Sequence, residues 1–318
     1  MPLRTPICNM LEIDVPIFLA GMGGVAYADV CAAVSQAGGF GTLGMAGASP
    51  DRIRSEMRAV RAQTDKPFGV DLLAALPESV LAAIDVIIDE GASAFIAGLG
   101  VPEPVIGRCH DAGVKVFSMC GRVAHAIRAE QAGCDVVVAQ GTEAGGHTGK
   151  VAGMALIPQI VDAVDIPVLA AGSIIDGRGL AAALAFGAQG VWMGTRFIAS
   201  TEANAHELYK KRISEMGSDD TLVSRGYSGK PMRVIRNEYI EDLERHPERI
   251  LPFPEQMDQS GREGLIGLVP DSQVDLSRSC LPAGQGAGGI SDILPCADII
   301  ASVMREAGET IDRLKSLA

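Results

Sequence analysis

One histidine of the sequence stands inside a glycine-rich loop that directly follows an apolar run. The stretch is VVVAQGTEAGGHTG, residues 136–149, and its glycines are Gly141, Gly145, Gly146 and Gly149. Glycine lets a backbone turn tightly and approach a ligand without Cβ clashes. An imidazole titrates near neutral pH and suits proton transfer. This setting predicts a functional role for His147, whereas we interpret the remaining histidines, in polar or helical sequence, as structural or solvated: His110, His125, His206 and His246.

Three further glycine turns are candidates for binding the same ligand. The first, residues 20–24, offers backbone N–H and C=O groups to the edge of a flat heteroaromatic ring. The others are residues 171–174 and residues 194–197. Free N–H groups at such turns, together with a helix N-terminus, favour an anion. The last two turns therefore predict a phosphate site, helped by the hydroxyls of Ser173 and Thr195.

These turns follow short apolar runs that alternate with helical stretches. The run before the histidine loop is typical of a strand buried on both faces in a parallel sheet. The predicted strands are 17–20, 41–45, 68–72, 94–97, 115–119, 135–139, 168–171 and 190–193. The predicted helices between them include 28–37, 50–63, 78–90, 123–132, 156–163 and 179–186. Eight βα units with right-handed crossovers predict an α/β fold of the TIM (β/α)8 barrel class, with its ligand face at the strand-to-helix loops.

Local signals support this division and set the predicted domains. Helix-ending glycines are expected at positions 38, 91, 113, 133 and 187, each just before a predicted strand. After the eighth predicted strand, short apolar runs no longer alternate with helical stretches. We therefore predict a barrel over residues 1–200, a small helical lid domain over 201–282, and a C-terminal segment over 283–318. The final helical stretch, 290–317, is expected to pack back on the barrel.

Charge, hydropathy and cysteine spacing argue against several classes of protein. The net charge of −12 argues against a nucleic-acid or anionic-membrane partner. No apolar run reaches the roughly 18 residues of a membrane span, and the first residues do not resemble a signal peptide, so we expect a cytoplasmic protein. The seven cysteines are scattered without C-x-x-C spacing, which predicts reduced thiols and no metal site.

Five segments together resemble the FMN-dependent nitronate monooxygenases, formerly called 2-nitropropane dioxygenases. Flavin-type enoyl-acyl-carrier-protein reductases and NADH:quinone reductases are relatives with the same fold. The segments are PIFLAGMGG, AVSQAGGFGTLG, KPFGVDLL, GTEAGGHTG and AAGSIIDGRGLAAALAFGAQGVWMGTRFIAS, and they occur in this order. The resemblance covers residues 6–245 and the last helix. It implies a TIM barrel with a small helical domain, one non-covalent FMN, and His147 as the catalytic residue.

The resemblance also implies which residues bind the FMN. Those expected beside the isoalloxazine are Ala20, Gly21, Met22, Gly23 and Asp71, and those of the histidine loop are Glu143, Gly145 and Gly146. Those expected at the phosphate are Ala171, Gly172, Ser173, Gly194 and Thr195, and those closing over the flavin from the C-terminal side are Gln285 and Gly286.

Two positions depart from the family pattern. Many relatives have an asparagine in the FGVN motif where this chain has Asp71, so an amide that donates and accepts is replaced by a carboxylate that only accepts when ionised. Some relatives place a lysine near the end of the fifth strand where this chain has Met119. Both changes bear on the electronic tuning of the flavin and on the exact reaction.

The resemblance leaves two reactions open. The first is the oxidation of nitronates by O2 to a carbonyl compound and nitrite, with His147 as base or electrostatic stabiliser. The alternative is an NAD(P)H-dependent reduction of enoyl thioesters or quinones at the same site. The wording of the loop GTEAGGHTG and the segment GYSGKPMRVIRNE favour the first. A flavin-binding sensor without turnover is a third reading, which nothing in the sequence favours. The expected partners are a small-molecule substrate and, by family resemblance, a second copy in a homodimer.

Overall fold

The computed structural model describes residues 3–266, 270 and 273–317. Its strands are β1 (Ile17–Leu19), β2 (Gly41–Gly44), β3 (Phe68–Leu73), β4 (Ala94–Gly98), β5 (Lys115–Cys120), β6 (Val136–Gln140), β7 (Gly146–His147), β8 (Val168–Ala171), β9 (Gly190–Met193), β10 (Thr221–Ser224) and β11 (Met232–Ile235). The eight strands predicted from the sequence are all present, with ends within one residue of the predicted ends.

The helices alternate with these strands through most of the chain. They are α1 (Pro6–Met10), α2 (Ala28–Gln36), α3 (Pro50–Arg61), α4 (Pro77–Asp89), α5 (Glu103–Asp111), α6 (Val123–Gln131), α7 (Gly153–Val161), α8 (Gly177–Ala185), α9 (Thr195–Ile198), α10 (Glu207–Glu215), α11 (Glu238–Arg245), α12 (Glu255–Arg262) and α13 (Cys296–Lys315). Short 3-10 helices lie at Pro247–Arg249 and Gln285–Gly289. Among the described residues, no helix combines the length and apolarity needed to cross a bilayer.

Eight parallel strands form a closed barrel. Their order around the sheet is β1-β9-β8-β6-β5-β4-β3-β2. The two end strands meet through a bridge between Phe18 and Phe40, where the amide of Leu19 donates to the carbonyl of Phe40 and the amide of Phe40 donates to the carbonyl of Ile17, both at 2.9 Å. The predicted TIM barrel is confirmed.

Aromatic side chains fill the barrel interior. Phe18 lies near the centre, with ring centroids 5.4 Å from Phe40, 6.4 Å from Phe117 and 6.4 Å from Trp192. Burying each such ring stabilises the fold by about 1.5–3 kcal/mol. Helix α1 packs on the same cluster and is tied to Gln189, just before β9, so it closes the end at which the strands begin. The opposite end remains for a ligand.

Glycines end the barrel helices as predicted. The glycines after α2, α4, α5, α6 and α8 have positive φ angles, which an L side chain rarely adopts: Gly38, Gly91, Gly113, Gly133 and Gly187. The left-handed conformation ends the helix and turns the chain into the next strand. The loops at the opposite end of the barrel are thereby left to carry the site.

The described part of the segment after the barrel contains strands as well as helices. β10 and β11 form an antiparallel hairpin, and β11 also pairs with β7 in the histidine loop. Strands of four residues are too short to show alternation in the sequence, which is why only helices were expected there. A small core of the segment includes Tyr227, Val234, Ile240 and Leu243. Residues 267–269 and 271–272 of the predicted lid domain lie outside the described residues.

The C-terminal helix α13 begins at Cys296, six residues later than predicted, and packs against α8 and α2 of the barrel. The contact with α8 is close at Gly177, where an added Cβ would overlap the backbone of Val303 and Ala307. The seven cysteines are all buried free thiols. Burial raises the pKa of the Cys109 thiol to about 11 and that of Cys120 to about 12, which makes them packing groups rather than nucleophiles.

Candidate active site

A cavity of about 880 Å³ lies at the carboxyl ends of the barrel strands, between the barrel and the segment that contains the β10–β11 hairpin, which we call the hairpin segment. Most of the residues predicted from the sequence line it: Ala20, Gly21, Met22, Gly23, Asp71, Gly145, Gly146, His147, Ala171, Gly172, Ser173, Gly194, Thr195 and Gly286. The volume falls within the range of typical ligand sites. The sequence therefore identified residues from distant segments that meet around one space.

The histidine loop is fixed across the mouth of the barrel by backbone pairing. His147 pairs with Met232 and Gly146 with Arg233, in the short antiparallel ladder between β7 and β11. The amide of Thr148 donates to the carbonyl of Pro231 at 3.1 Å. From the barrel side, Gln140 Nε2 donates to the carbonyl oxygen of His147 at 2.6 Å. The histidine backbone is thus held by both the barrel and the hairpin.

The imidazole of His147 has a defined partner and an unusual proton affinity. Its Nε2 lies 2.9 Å from the hydroxyl oxygen of Ser228. Burial, with the nearby charge of Lys230, lowers the pKa of His147 to about 4. The ring is therefore neutral at pH 7 and can accept a proton from a substrate.

Arg233 ties the hairpin to the histidine loop. The residue is buried, and its guanidinium donates from Nε to the carbonyl of Thr142 at 3.0 Å. Nη1 of the same group donates to the hydroxyl of Thr221 in β10 at 3.0 Å. One side chain therefore links β10, β11 and the loop that carries His147.

Two of the predicted residues do not line the cavity, and they hold the loop instead. The carboxylate of Glu143 accepts hydrogen bonds from the amide of Gly153 at 2.9 and 3.0 Å, at the beginning of α7. Its carbonyl accepts from the amide of Gln285 at 3.0 Å, and the side chain of Gln285 is exposed. In the structure these two residues therefore lie outside the cavity lining, and the Glu143 carboxylate and the Gln285 amide are bonded within the protein.

The predicted phosphate end is formed by the turns after β8 and β9. Ser173 has a positive φ of 52°, and its hydroxyl donates to the carbonyl of Glu143 at 3.1 Å and accepts from the amide of Gly286 at 2.8 Å. Because the Ser173 hydroxyl donates its proton to the carbonyl of Glu143, the part of Ser173 left to bind the expected phosphate is its backbone. The Thr195 hydroxyl accepts from the amide of Gly284 at 3.0 Å, and no acceptor for its proton is found among the residues that the structure describes.

Glycines leave room for a flat cofactor. An added Cβ at Gly23 or Gly146 would meet no protein atom within 4 Å, and both residues line the cavity. The positive φ of 75° at Gly146 further favours glycine. Bare backbone on two sides of the cavity, with the turns after β8 and β9 at one end, is an arrangement into which a flavin nucleotide fits.

Asp71 brings a carboxyl group to the cavity wall. Burial raises the pKa of Asp71 well above its ordinary value. A neutral carboxyl group both donates and accepts hydrogen bonds, as the asparagine of many relatives does. In its protonated form Asp71 would therefore offer the same kinds of hydrogen bond as that asparagine. The second departure from the family pattern, Met119 in place of a lysine, remains in the structure, because the uncharged Met119 side chain belongs to a residue of the cavity lining.

The sequence reasoning missed residues contributed by the hairpin segment and by α6. Ser228, Lys230 and Met232 line the cavity from the hairpin, and Arg122 and His125 line it from the beginning of α6. The glycines of GYSGK were a usable signal of a tight turn, but nothing local placed that turn beside His147. Basic side chains therefore surround part of the cavity in a protein whose net charge is −12.

Comparison with known proteins places the chain in a family. A family described as nitronate monooxygenase matches residues 4–83 and 77–306. A probable nitronate monooxygenase of Staphylococcus saprophyticus is 36% identical over 302 residues, covering 80% of this chain and 85% of the relative.

Two solved structures share the whole architecture. FabK from Thermotoga maritima is 36% identical with a TM-score of 0.92, covering 99% of each chain. A nitroalkane oxidase from Streptomyces ansochromogenes is 27% identical with a TM-score of 0.84, covering 97% of this chain and 99% of the other. Together with the glycine-lined cavity and its neutral histidine, these likenesses lead to one conclusion: the chain belongs to the nitronate monooxygenase family and is a flavin-dependent oxidoreductase.

Proposed function

We propose that the protein binds FMN and oxidises nitroalkanes, as their nitronates, with O2 to a carbonyl compound and nitrite. The observation that carries this proposal is the imidazole of His147, which belongs to the cavity lining and is neutral at pH 7. A hydrogen on the carbon next to a nitro group is acidic, and a fixed neutral base can remove it. The family membership and the nitroalkane oxidase likeness support the same reaction.

In this proposal the backbone holds the cofactor. The turn at Gly21, Met22 and Gly23 offers peptide groups to the ring system, and the amides of Ser173 and Thr195 meet the phosphate, with the Thr195 hydroxyl as a further donor. When bound, the flavin supplies the electron transfer between the substrate and O2. The monophosphate form is favoured because the glycine turns after β8 and β9 provide one compact anion site.

The remaining steps belong to the side chains of the chain itself. His147 takes the proton from the substrate carbon and holds it at the imidazole ring. The positive charge of Lys230, which already lowers the pKa of that ring, favours an anionic substrate in the same space. The hairpin from β10 to β11 covers the cavity and limits the access of water to the reacting atoms.

Stopped-flow spectroscopy of the flavin-loaded protein tests the proposal. We expect anaerobic mixing with a nitronate to bleach the flavin absorbance, and mixing with NADH or NADPH to leave it unchanged. We also expect His147→Asn to lower turnover of the neutral nitroalkane by about 100-fold or more, because a positioned base contributes on that order. Bleaching by a nicotinamide nucleotide without any reaction with the nitronate would refute the proposal.

A second candidate is the NAD(P)H-dependent reduction of an enoyl thioester or a quinone. The specific observation in its favour is the group of basic side chains in the lining, Arg122, His125 and Lys230, which suits a substrate or donor that carries phosphate. The likeness to FabK accords with it. The same stopped-flow experiment separates the two candidates, since here the nucleotide is the reductant.

A further inference from the structure

Ser228 lies in the turn between β10 and β11 and is buried, with 2% of its surface exposed. Its hydroxyl oxygen makes three contacts. His147 Nε2 lies 2.9 Å away, the amide of Lys230 donates to it at 3.3 Å, and the hydroxyl donates to the carbonyl of Lys230 at 3.2 Å. A serine hydroxyl has one proton to donate and two lone pairs to accept with. The three contacts therefore have to share one donor and two acceptors.

These contacts are compatible with one another in a single arrangement. The hydroxyl proton goes to the carbonyl of Lys230, and the two lone pairs accept from the Lys230 amide and from a proton on His147 Nε2. If the hydroxyl instead donated to Nε2, the carbonyl of Lys230 would lose this partner and one hydrogen bond fewer would form. Because buried polar groups are rarely left unpaired, the first arrangement is favoured.

We propose that Ser228 is a positioning residue that fixes His147 as the Nε2–H tautomer and so places the basic lone pair at Nδ1. Among the residues that the structure describes, none forms a hydrogen bond with His147 Nδ1, and the imidazole belongs to the cavity lining. The ring nitrogen that remains for a substrate proton is then Nδ1. The backbone of the hairpin supplies the orientation, since the carbonyl and amide of Lys230 fix the direction of the serine hydroxyl.

This inference rests on the proposed function only for its consequence in catalysis. In a histidine base, the nitrogen that holds the proton at rest cannot accept another, so the tautomer decides which ring atom faces the chemistry. The serine does not touch the reacting atoms in this scheme. The tautomer itself exists without substrate, and it is measurable whichever reaction the enzyme performs.

The test is ¹⁵N NMR of the flavin-loaded protein labelled at its histidines, recorded at pH 8 where His147 is neutral. Long-range proton–nitrogen correlations distinguish a protonated ring nitrogen from one with a lone pair, and the signal that is lost in His147→Asn identifies the residue. We expect Nε2 of wild-type His147 to carry the proton. A proton on Nδ1 would overturn the proposal, and this result needs no serine variant.

The variant Ser228→Ala tests the cause. A hydrogen bond worth about 1 kcal/mol shifts an equilibrium about fivefold, so we expect the ratio of the two neutral tautomers to move about fivefold toward Nδ1–H. We expect kcat to fall as well, but by no more than about fivefold from this cause because the Nε2–H tautomer stays partly populated, with KM within about twofold. An unchanged tautomer ratio in Ser228→Ala would also overturn the proposal.

Ser224→Ala is the matched control. Ser224 is similarly buried in the same hairpin, but its hydroxyl donates to Glu244 Oε1 at 2.6 Å and accepts from the amide of Gly226 at 2.9 Å. We expect this variant to leave the His147 tautomer unchanged, and a shift as large as that in Ser228→Ala would mean that any loss of a buried hydroxyl suffices and would refute the proposal. If nitronates prove not to be substrates, the proposed function fails while the tautomer measurement still decides the role of Ser228.

Discussion

The backbone of Gly21 lies directly against the carboxyl side chain of Asp71. A Cβ added at Gly21 would overlap the Cβ and Oδ2 atoms of Asp71 and lie 2.6 Å from its Cγ. Real Cβ atoms do not tolerate such distances, so a side chain at position 21 would displace the carboxyl group. The glycine after β1 thereby sets the place of the acid in the second half of β3, and the two residues form one wall of the cavity.

We therefore predict that Gly21→Ala weakens flavin binding by at least about tenfold. The added methyl group moves either the turn at residues 20–24 or the Asp71 side chain, and both line the cavity. The dissociation constant can be measured from the fluorescence of the released flavin. Gly308→Ala is the control, because its added Cβ, in α13, meets nothing within 4 Å. Equal flavin affinity in both variants would contradict the assignment of this wall to the cofactor.

The protonation state of Asp71 can be tested through stability. Because burial raises the pKa of Asp71, the folded protein holds a proton that the unfolded chain releases. The stability gained is complete below the ordinary pKa of an aspartate and is lost as pH rises through the raised pKa. Asparagine keeps the shape of the neutral acid without this titration. We thus expect the free energy of unfolding of Asp71→Asn, relative to wild type, to increase from pH 4 to pH 8.

Chemical denaturation at several pH values measures that difference on the flavin-loaded protein. Asp219→Asn, which changes an exposed acid between α10 and β10, provides the comparison. A constant difference between Asp71→Asn and wild type across this range would show that Asp71 is ionised in the folded state. The carboxyl group could not then substitute for the amide donor of the related enzymes.

The pH dependence of turnover follows from the environment of His147. Burial first, and then the charge of Lys230, lowers its pKa to about 4. The basic form is present above that pKa, so wild-type kcat/KM should be flat from about pH 5 to pH 8 as far as this residue decides it. Removing the positive charge in Lys230→Met raises the pKa of His147, and the acidic decline should begin at a higher pH.

The profile of kcat/KM against pH measures this shift, and histidine NMR titration confirms which residue moves. Lys230→Met keeps the backbone amide and carbonyl that contact Ser228, so within the described part of the chain the losses are the charge and the contact of the ammonium with the Phe253 ring. Lys211→Met, at an exposed site on α10, is the matched control. An acidic limb near the ordinary histidine pKa in the wild type would show that His147 is more hydrated than the structure implies.

The barrel was predictable because its signals are local. Most barrel strands are short apolar runs buried on both faces, and each glycine stop, such as Gly91 or Gly187, closely follows the helix before it. The cavity residues on strand ends were predictable for the same reason, since parallel strands bring their carboxyl ends to one face. His147 was found from the glycines that surround it.

The contribution of the hairpin could not be predicted from local pattern. Ser228 meets His147 because β11 pairs with β7, a contact between segments 81 residues apart that has no signature in either segment. The direction in which a side chain points was equally unpredictable from the local sequence. Glu143 stands in the glycine loop beside the cavity residues, yet its carboxylate turns to the amide of Gly153, which only the fold of α7 places there.

The guanidinium of Arg233 joins the carbonyl of Thr142 to the hydroxyl of Thr221. In Arg233→Met both acceptors lose a charged donor inside the protein, where such a hydrogen bond is worth about 1.5–3 kcal/mol. The loop around His147 should then open more often. We expect hydrogen exchange at the amides of His147 and Thr148 to become at least about tenfold faster, and kcat to fall because the base is placed less well. Arg236→Met, an exposed arginine just after β11 that bonds with Asp219 and Glu241, should leave both quantities within about twofold. Equal exchange in the two variants would mean that the β7–β11 ladder alone fixes the histidine, and that Arg233 serves only to pack the hairpin.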